Sequence, residues 1–140
     1  MKTFAFDHRM QLEEMAGYTK DKGGAFKELC LQAALDVQAG QQGYGILSDN
    51  RIGRAALHAA SGSGLWIGRP TEFPGSRPIQ LEPELGVDLG QLREWARENV
   101  VKLLVFCHPE DDAAMRAEQE EVVKRLWHAS RRNGLEFLLE

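Results

Sequence analysis

The chain has 140 residues, 43% of them hydrophobic, and its 17 basic and 21 acidic side chains leave a net charge of −4. A length of that order makes one domain, and the apolar share excludes a disordered chain. The acidic balance offers no footprint for nucleic acid or an anionic membrane, and no apolar run approaches the roughly 18 residues of a membrane span.

Short apolar runs alternate with amphipathic segments along the chain. Thr3 to Phe6 is the first predicted strand. The charged Asp7-His8-Arg9 that ends it also breaks the apolar stretch a signal peptide would need, so a cytoplasmic protein is expected. Lys22 to Ala39 reads as a helix with an apolar stripe of Phe26, Leu29, Cys30, Ala33 and Val37, closed by Gly40. Tyr44 to Leu47 is a second strand stopping at Ser48-Asp49, and Arg51 to Ala60 is a small Ala-rich helix before Ser61-Gly62-Ser63-Gly64. A third strand, Leu65 to Ile67, ends in Gly68-Arg69-Pro70. The stretch from Arg69 to Pro83 holds all but one of the five prolines and reads as an irregular loop, with an extended piece near Ile79 to Leu81. Asp88 is placed to cap a helix through Trp95. Val100 to Cys107, VVKLLVFC, is apolar on nearly every residue and predicts the fourth strand. Asp111 or Asp112 begins a longer helix with an inward stripe of Met115, Val122, Leu126 and Ala129, stopped by Asn133-Gly134. Leu135 to Leu139 is the last strand. Cys30 and Cys107 make no disulfide framework and no CxxC pair, and are expected to be reduced and buried.

Strands apolar on both faces and separated by helices specify an α/β class with a parallel sheet. Two architectures satisfy the alternation: the amino-terminal five strands of a (β/α)8 barrel, and an open, doubly wound flavodoxin-like sheet. The short length favours the open sheet. Only Glu140 follows the last strand, which leaves no helix to cover it and favours the barrel portion. On that reading, residues 1–140 are a single (β/α) domain truncated after its fifth strand.

In either architecture ligands bind at the carboxyl ends of the strands. The residues expected there are Asp7-His8-Arg9, Ser48-Asp49-Asn50, Arg69 with Glu72, His108, and Glu140. Asp49 and Asp111 equally suit helix caps. Lys102 interrupts the fourth strand. Either it is buried against a carboxylate, a setting that suits proton transfer or a Schiff base, or it starts the strand and reaches solvent at the amino end. There is no GxxxxGK[ST] phosphate cradle, and Gly62, Gly64 and Gly68 have the wrong spacing for a dinucleotide site. A metal site would need His8, His108 and Asp49 to converge, with no HxxxH or HExxH to support it. Trp66, Trp95 and Trp127 read as packing residues.

Three stretches carry a resemblance. FAFDHRMQLEEMAG (Phe4 to Gly17), GLWIGRPTEFPGSRPIQLE (Gly64 to Glu82) and the segment from Val101 to Glu140, which opens VKLLVFCHPEDD and closes GLEFLLE, are together similar to the aldolase-like domain of myo-inositol catabolism. The RP-x-E-x-PGSRP segment is the most specific of them. That domain is often fused behind 5-dehydro-2-deoxygluconokinase and is assigned 2-deoxy-5-keto-gluconate 6-phosphate aldolase activity or left without a function. More distantly, the chain resembles tagatose 1,6-bisphosphate aldolase, a Schiff-base enzyme on a (β/α)8 barrel. The motifs that match put a catalytic aspartate at Asp7, a lysine of the fourth strand at Lys102 and a glutamate closing the fifth strand at Glu140.

The resemblance implies a lyase needing no metal or organic cofactor. A lysine amine condenses with the ketone of a phosphorylated sugar acid, Glu140 shuttles protons, Asp7 serves the hydroxyl being cleaved, and Lys102 keeps a positive charge beside both. Arg9, Asp49, Arg69 and His108 are implied as substrate-binding residues. The family's iminium-forming lysine lies on a sixth strand, and none of Lys2, Lys20, Lys22, Lys27 or Lys124 matches it, so this chain alone is expected to be inactive. The expected partners are the substrate, a carbohydrate-kinase domain, and a further copy or the remaining half of the barrel, with no nucleic acid and no membrane. The competing reading is a non-catalytic module that binds a sugar phosphate or regulates a kinase.

Overall fold

In the computed structural model, which describes all 140 residues, the chain is α/β, with five strands and every strand pairing parallel. It divides into two units, Met1–Pro70 and Thr71–Glu140. No helix is long and apolar enough to cross a membrane.

The first unit holds β1 (Lys2–Ala5), α1 (Met10–Glu13), α2 (Lys20–Gln38), β2 (Tyr44–Leu47), α3 (Arg54–Ala60) and β3 (Trp66–Pro70). Strand β2 lies between the other two, pairing Phe4 with Ile46 and Ile46 with Ile67. Helix α2 starts where the Thr19 side chain accepts the Lys22 amide hydrogen, and it ends on Ala39 in the left-handed region. Cys30, Leu31 and Ala34 from α2 and Ala56 and Ala60 from α3 bury the same sheet face, against Phe6, Ile46 and Ile67. Successive right-handed crossovers running in one direction place their helices on one side. A flavodoxin-like order would instead put the first strand between two neighbours, whereas β1 stands at the sheet edge beside β2. On the other face a Cβ at Gly68 would come within 2.4 Å of Leu47 and 2.8 Å of the Trp66 ring, so the indole lies where only glycine leaves room.

Helix α2 reverses the expected stripe. Phe26, Leu29, Ala33 and Val37 face solvent, Leu29 at 67% exposure, and of the predicted set only Cys30 is buried. The inner face instead carries Gly23, Lys27, Cys30, Leu31, Ala34 and Gln38. The reason is local: Lys27 and Gln38 each hold a loop, Lys27 through the His8 carbonyl and Gln38 through the Ser63 carbonyl.

The second unit begins with an extended loop in which Glu72 bridges Leu81 in antiparallel fashion and the Phe73 amide donates to the Gln80 carbonyl. Two short 3₁₀ segments follow, Pro83–Leu85 and Gly90–Glu94, then β4 (Asn99–Leu103), α4 (Ala113–Arg132) and β5 (Glu136–Leu139). No α-helix runs from Asp88 to Trp95. The Asp88 carboxylate accepts the Gly90 amide in a tight turn, while Leu89 and Leu92 are buried as expected. Asp112 caps α4 by accepting from Ala114 and Met115, and Gly134 leaves it in the left-handed region. Its inner stripe is Gln119, Leu126, Ala129 and Ser130, with Val122 half-buried. Strand β4 is shorter than its apolar run, because the partner strand supplies ladder positions only from Glu136 to Leu139. Cys107 therefore lies in a loop and is exposed, contrary to the expectation of two buried thiols; Cys30 is buried.

Two measurements follow from this burial. Leu31→Ala is expected to cost about 2–5 kcal/mol in urea unfolding, whereas Leu29→Ser is expected to change stability by no more than about 0.5 kcal/mol. Burial pushes the Cys30 thiol up, against an opposing pull from Lys27. In a thiol titration of the folded protein, Cys107 should react promptly. Cys30 should react only on unfolding, and should stay slow even at about pH 9, where an ordinary thiol is already largely thiolate.

Candidate functional site

Lys102 is the penultimate residue of β4, so it does not start the strand or escape at its amino end. Alternation along β4 turns Val101 and Leu103 toward α4, where both join the core, and leaves Val100 and Lys102 on the opposite face. Across the ladder Lys102 pairs with Leu138, and Glu140 lies two residues further along on the same face of β5. The Glu140 amide donates to the Leu103 carbonyl at 2.9 Å, and its own carbonyl accepts from Val105 at 2.9 Å. The ladder thus brings Glu140 to Lys102, with Nζ 3.1 Å from Oε2.

A second carboxylate completes the cluster. The Thr71 amide and hydroxyl both donate to the Lys102 carbonyl, at 2.9 and 2.7 Å. Glu72, next in sequence, places Oε1 3.5 Å from Nζ while Oε2 accepts the Leu104 amide hydrogen at 3.1 Å. Lys102 is 3% exposed and Glu72 is buried, whereas the Glu140 side chain is 54% exposed. One carboxylate is locked by the backbone and the other is open to solvent. The RP-x-E-x-PGSRP segment supplied Glu72 as a strand-end residue, but spacing alone did not show that it would meet Lys102.

The rest of that segment is tied to the exit of β4. Gln119 of α4 accepts the Ile79 amide with Oε1 and donates to the Phe106 carbonyl with Nε2. The guanidinium of Arg77 pairs with Asp111, whose other oxygen accepts the His108 amide. His108 does not end a strand. It sits in an exposed turn, with Nδ1 accepting the Glu110 amide, because β4 stops at Leu103.

The remaining expected residues belong to the first unit. Asp49 is buried at the exit of β2, where one carboxylate oxygen accepts the Ile52 amide at 2.7 Å and the other contacts the Lys27 ammonium. It is therefore a turn-capping residue as well as an ion-pair partner. Lys27 also donates to the His8 carbonyl at 2.9 Å and is 0% exposed. Burial pushes its amine from 10.5 down to about 8; the carboxylate of Asp7 is the largest opposing influence, and Arg9 acts with burial. Arg9 is buried and Asp7 half-buried beyond β1. Arg69 is inside β3, since that strand continues to Pro70. No group of three or more His, Cys, Asp or Glu side chains is arranged to hold a metal ion, so His8, His108 and Asp49 make no such site.

The whole sequence, residues 1–140, matches a protein family described as uncharacterized protein conserved in bacteria (DUF2090). None of the curated proteins matches the chain.

The Lys102 cluster ranks three substitutions. Lys102→Met leaves the buried Glu72 carboxylate without this cation and is expected to cost about 3–5 kcal/mol. Glu72→Gln keeps the shape and an acceptor for the Leu104 amide and should cost less, about 1–3 kcal/mol. Glu140→Gln, at a half-exposed pair, should cost under about 1 kcal/mol. Urea unfolding of the three variants checks the order.

Proposed function

The chain belongs to the DUF2090 family, and we propose that it carries the acid/base portion of a class I aldolase-type site for a phosphorylated keto-sugar acid such as 2-deoxy-5-keto-gluconate 6-phosphate. The observation that carries this reading is the Lys102 ammonium, withdrawn from water and held between Glu72 and Glu140 on one side of a parallel sheet. A merely structural pair has no need of a third charged group with half of its side chain in solvent. The sequential order of β1, β2 and β3, with both crossover helices on one face, fits the first part of a (β/α)8 barrel.

In this reading the lysine that forms the iminium lies outside these residues. The iminium draws electrons from the carbon–carbon bond that breaks. Glu140 is the proton carrier, because it alone of the Lys102 cluster is open to a bound molecule. Glu72 is the fixed counter-charge, and its backbone hydrogen bond prevents it from swinging toward a substrate. Lys102, enclosed between the two carboxylates, holds positive charge beside Glu140 and fixes where that side chain stands. The resemblance gives Asp7 the proton of the hydroxyl group at the cleaved bond and gives Arg9 and Arg69 substrate binding, whereas Asp49, buried with both oxygens engaged, holds its own turn instead. A kinase domain and a further copy or barrel half remain its proposed partners.

Calorimetry with 2-deoxy-5-keto-gluconate 6-phosphate tests the reading. The chain is expected to bind this compound, and Lys102→Met to weaken binding by about tenfold or more, because Glu140 then loses the group that holds it in place. Borohydride added to the mixture should leave the protein mass unchanged. An absence of binding overturns the reading, and a reduced adduct on Lys102 overturns the role given to that lysine.

A further inference from the structure

The buried ammonium of Lys27 takes no part in the reaction proposed above. Its position on the inner face of α2 suits an apolar side chain, and burying a charge there is unfavourable unless it is paired. What the charge achieves is a link between two strand exits. Nζ donates to the His8 carbonyl at 2.9 Å, at the exit of β1, and contacts Asp49 at the exit of β2. The other oxygen of Asp49 accepts the Ile52 amide at 2.7 Å, which fixes the turn into α3. The junction is tight: a Cβ on Gly53 would lie 2.7 Å from Ser48 Oγ, 2.8 Å from the Asp49 carbonyl oxygen and 3.0 Å from Lys27 Cδ. Charged and titratable groups acting on the ammonium come from every neighbouring segment: Asp7, Arg9 and Glu13 beyond β1, Asp49 beyond β2, and Cys30 on its own helix.

We propose that Lys27 is a positioning residue, clamping the Asp7-His8-Arg9 segment to the exit of β2 and so fixing where Asp7 is presented. The clamp grips main chain at His8, one residue from Asp7, and therefore sets the path of the backbone. That Asp7 is a site residue rests on the aldolase-type reading; that Lys27 clamps its segment does not.

Amide hydrogen exchange on the full chain separates the two, using Lys27→Met, Asp49→Asn and the double variant. Each is expected to speed exchange in residues 6–9 and 48–52 by about tenfold or more relative to the middle of β2 and β3, the scale of a lost hydrogen bond to a charged group. The double variant should be no worse than the worse single one, since all three break one link. Unchanged exchange, or the same increase throughout residues 1–70 as lost packing alone would give, overturns the proposal. If Lys27→Met does not fold, Asp49→Asn carries the same comparison with the lysine intact. Localised exchange together with no binding of the phosphorylated keto-acid by the wild type would refute the aldolase-type reading and leave the clamp standing.

Discussion

Two lysine ammonium groups are taken out of water in this fold, and each obliges the chain to bury carboxylate with it. Desolvating such a group costs several kcal/mol even after relaxation. Lys102 meets this with Glu72 and Glu140, and Lys27 with Asp49 and a backbone carbonyl. The pairing constrains more than the residues concerned. Strand register, loop path and helix placement must each deliver an acidic group to a fixed point, and an error in any one strands a charge in the interior.

For Lys102 the delivery is made by the parallel ladder. Lys102 stands opposite Leu138, and slipping β5 by one residue would turn Glu140 to the α4 face, where Val101 and Leu103 pack. The apolar core of the second unit therefore enforces the geometry of the charged cluster, because Phe137 and Glu140 cannot exchange faces without burying one and exposing the other. Glu72 is delivered differently, through backbone hydrogen bonds from Thr71 to the Lys102 carbonyl and from Leu104 to the Glu72 carboxylate. These fix its loop to β4 regardless of what the side chain of Lys102 does.

How much of this was legible depends on the signal each residue leaves in the sequence. Tyr44 to Leu47 was readable to the residue, since Ser48-Asp49 ends it, and the Gly134 stop of α4 was equally plain, while the cap of that helix was narrowed only to Asp111 or Asp112, of which the structure uses Asp112. The run VVKLLVFC overstated its strand, because hydrophobicity cannot reveal where the neighbouring strand runs out, and His108 and Cys107 were misplaced with it. Lys102 and Glu140 were found through motifs and Glu72 as a strand-end residue, but the contact of Glu72 with Lys102 depends on the fold of a proline-rich loop with no periodicity to read. Lys27 left no signal at all. A lysine among helical residues ordinarily marks the solvent face, and here it marks the buried one.

That inversion in α2 has a counterpart in α4. Each helix gives buried positions to long polar side chains: Lys27 and Gln38 in one, Gln119 in the other. Each of the three bonds loop backbone: the His8 carbonyl after β1, the Ser63 carbonyl before β3, and, for Gln119, the Ile79 amide of the proline-rich loop together with the Phe106 carbonyl after β4. Apolar residues at these positions would bury more hydrocarbon but would leave the loops to find their own conformations. Groups that must act on a bound molecule need placement within a fraction of an ångström, and loops reach that only when their backbone is held from behind. The polar residues of the helix layer are thus a cost in core hydrophobicity that the strand-end loops recover as fixed geometry, and this is why the amphipathic pattern fails in α2 while the fold itself does not.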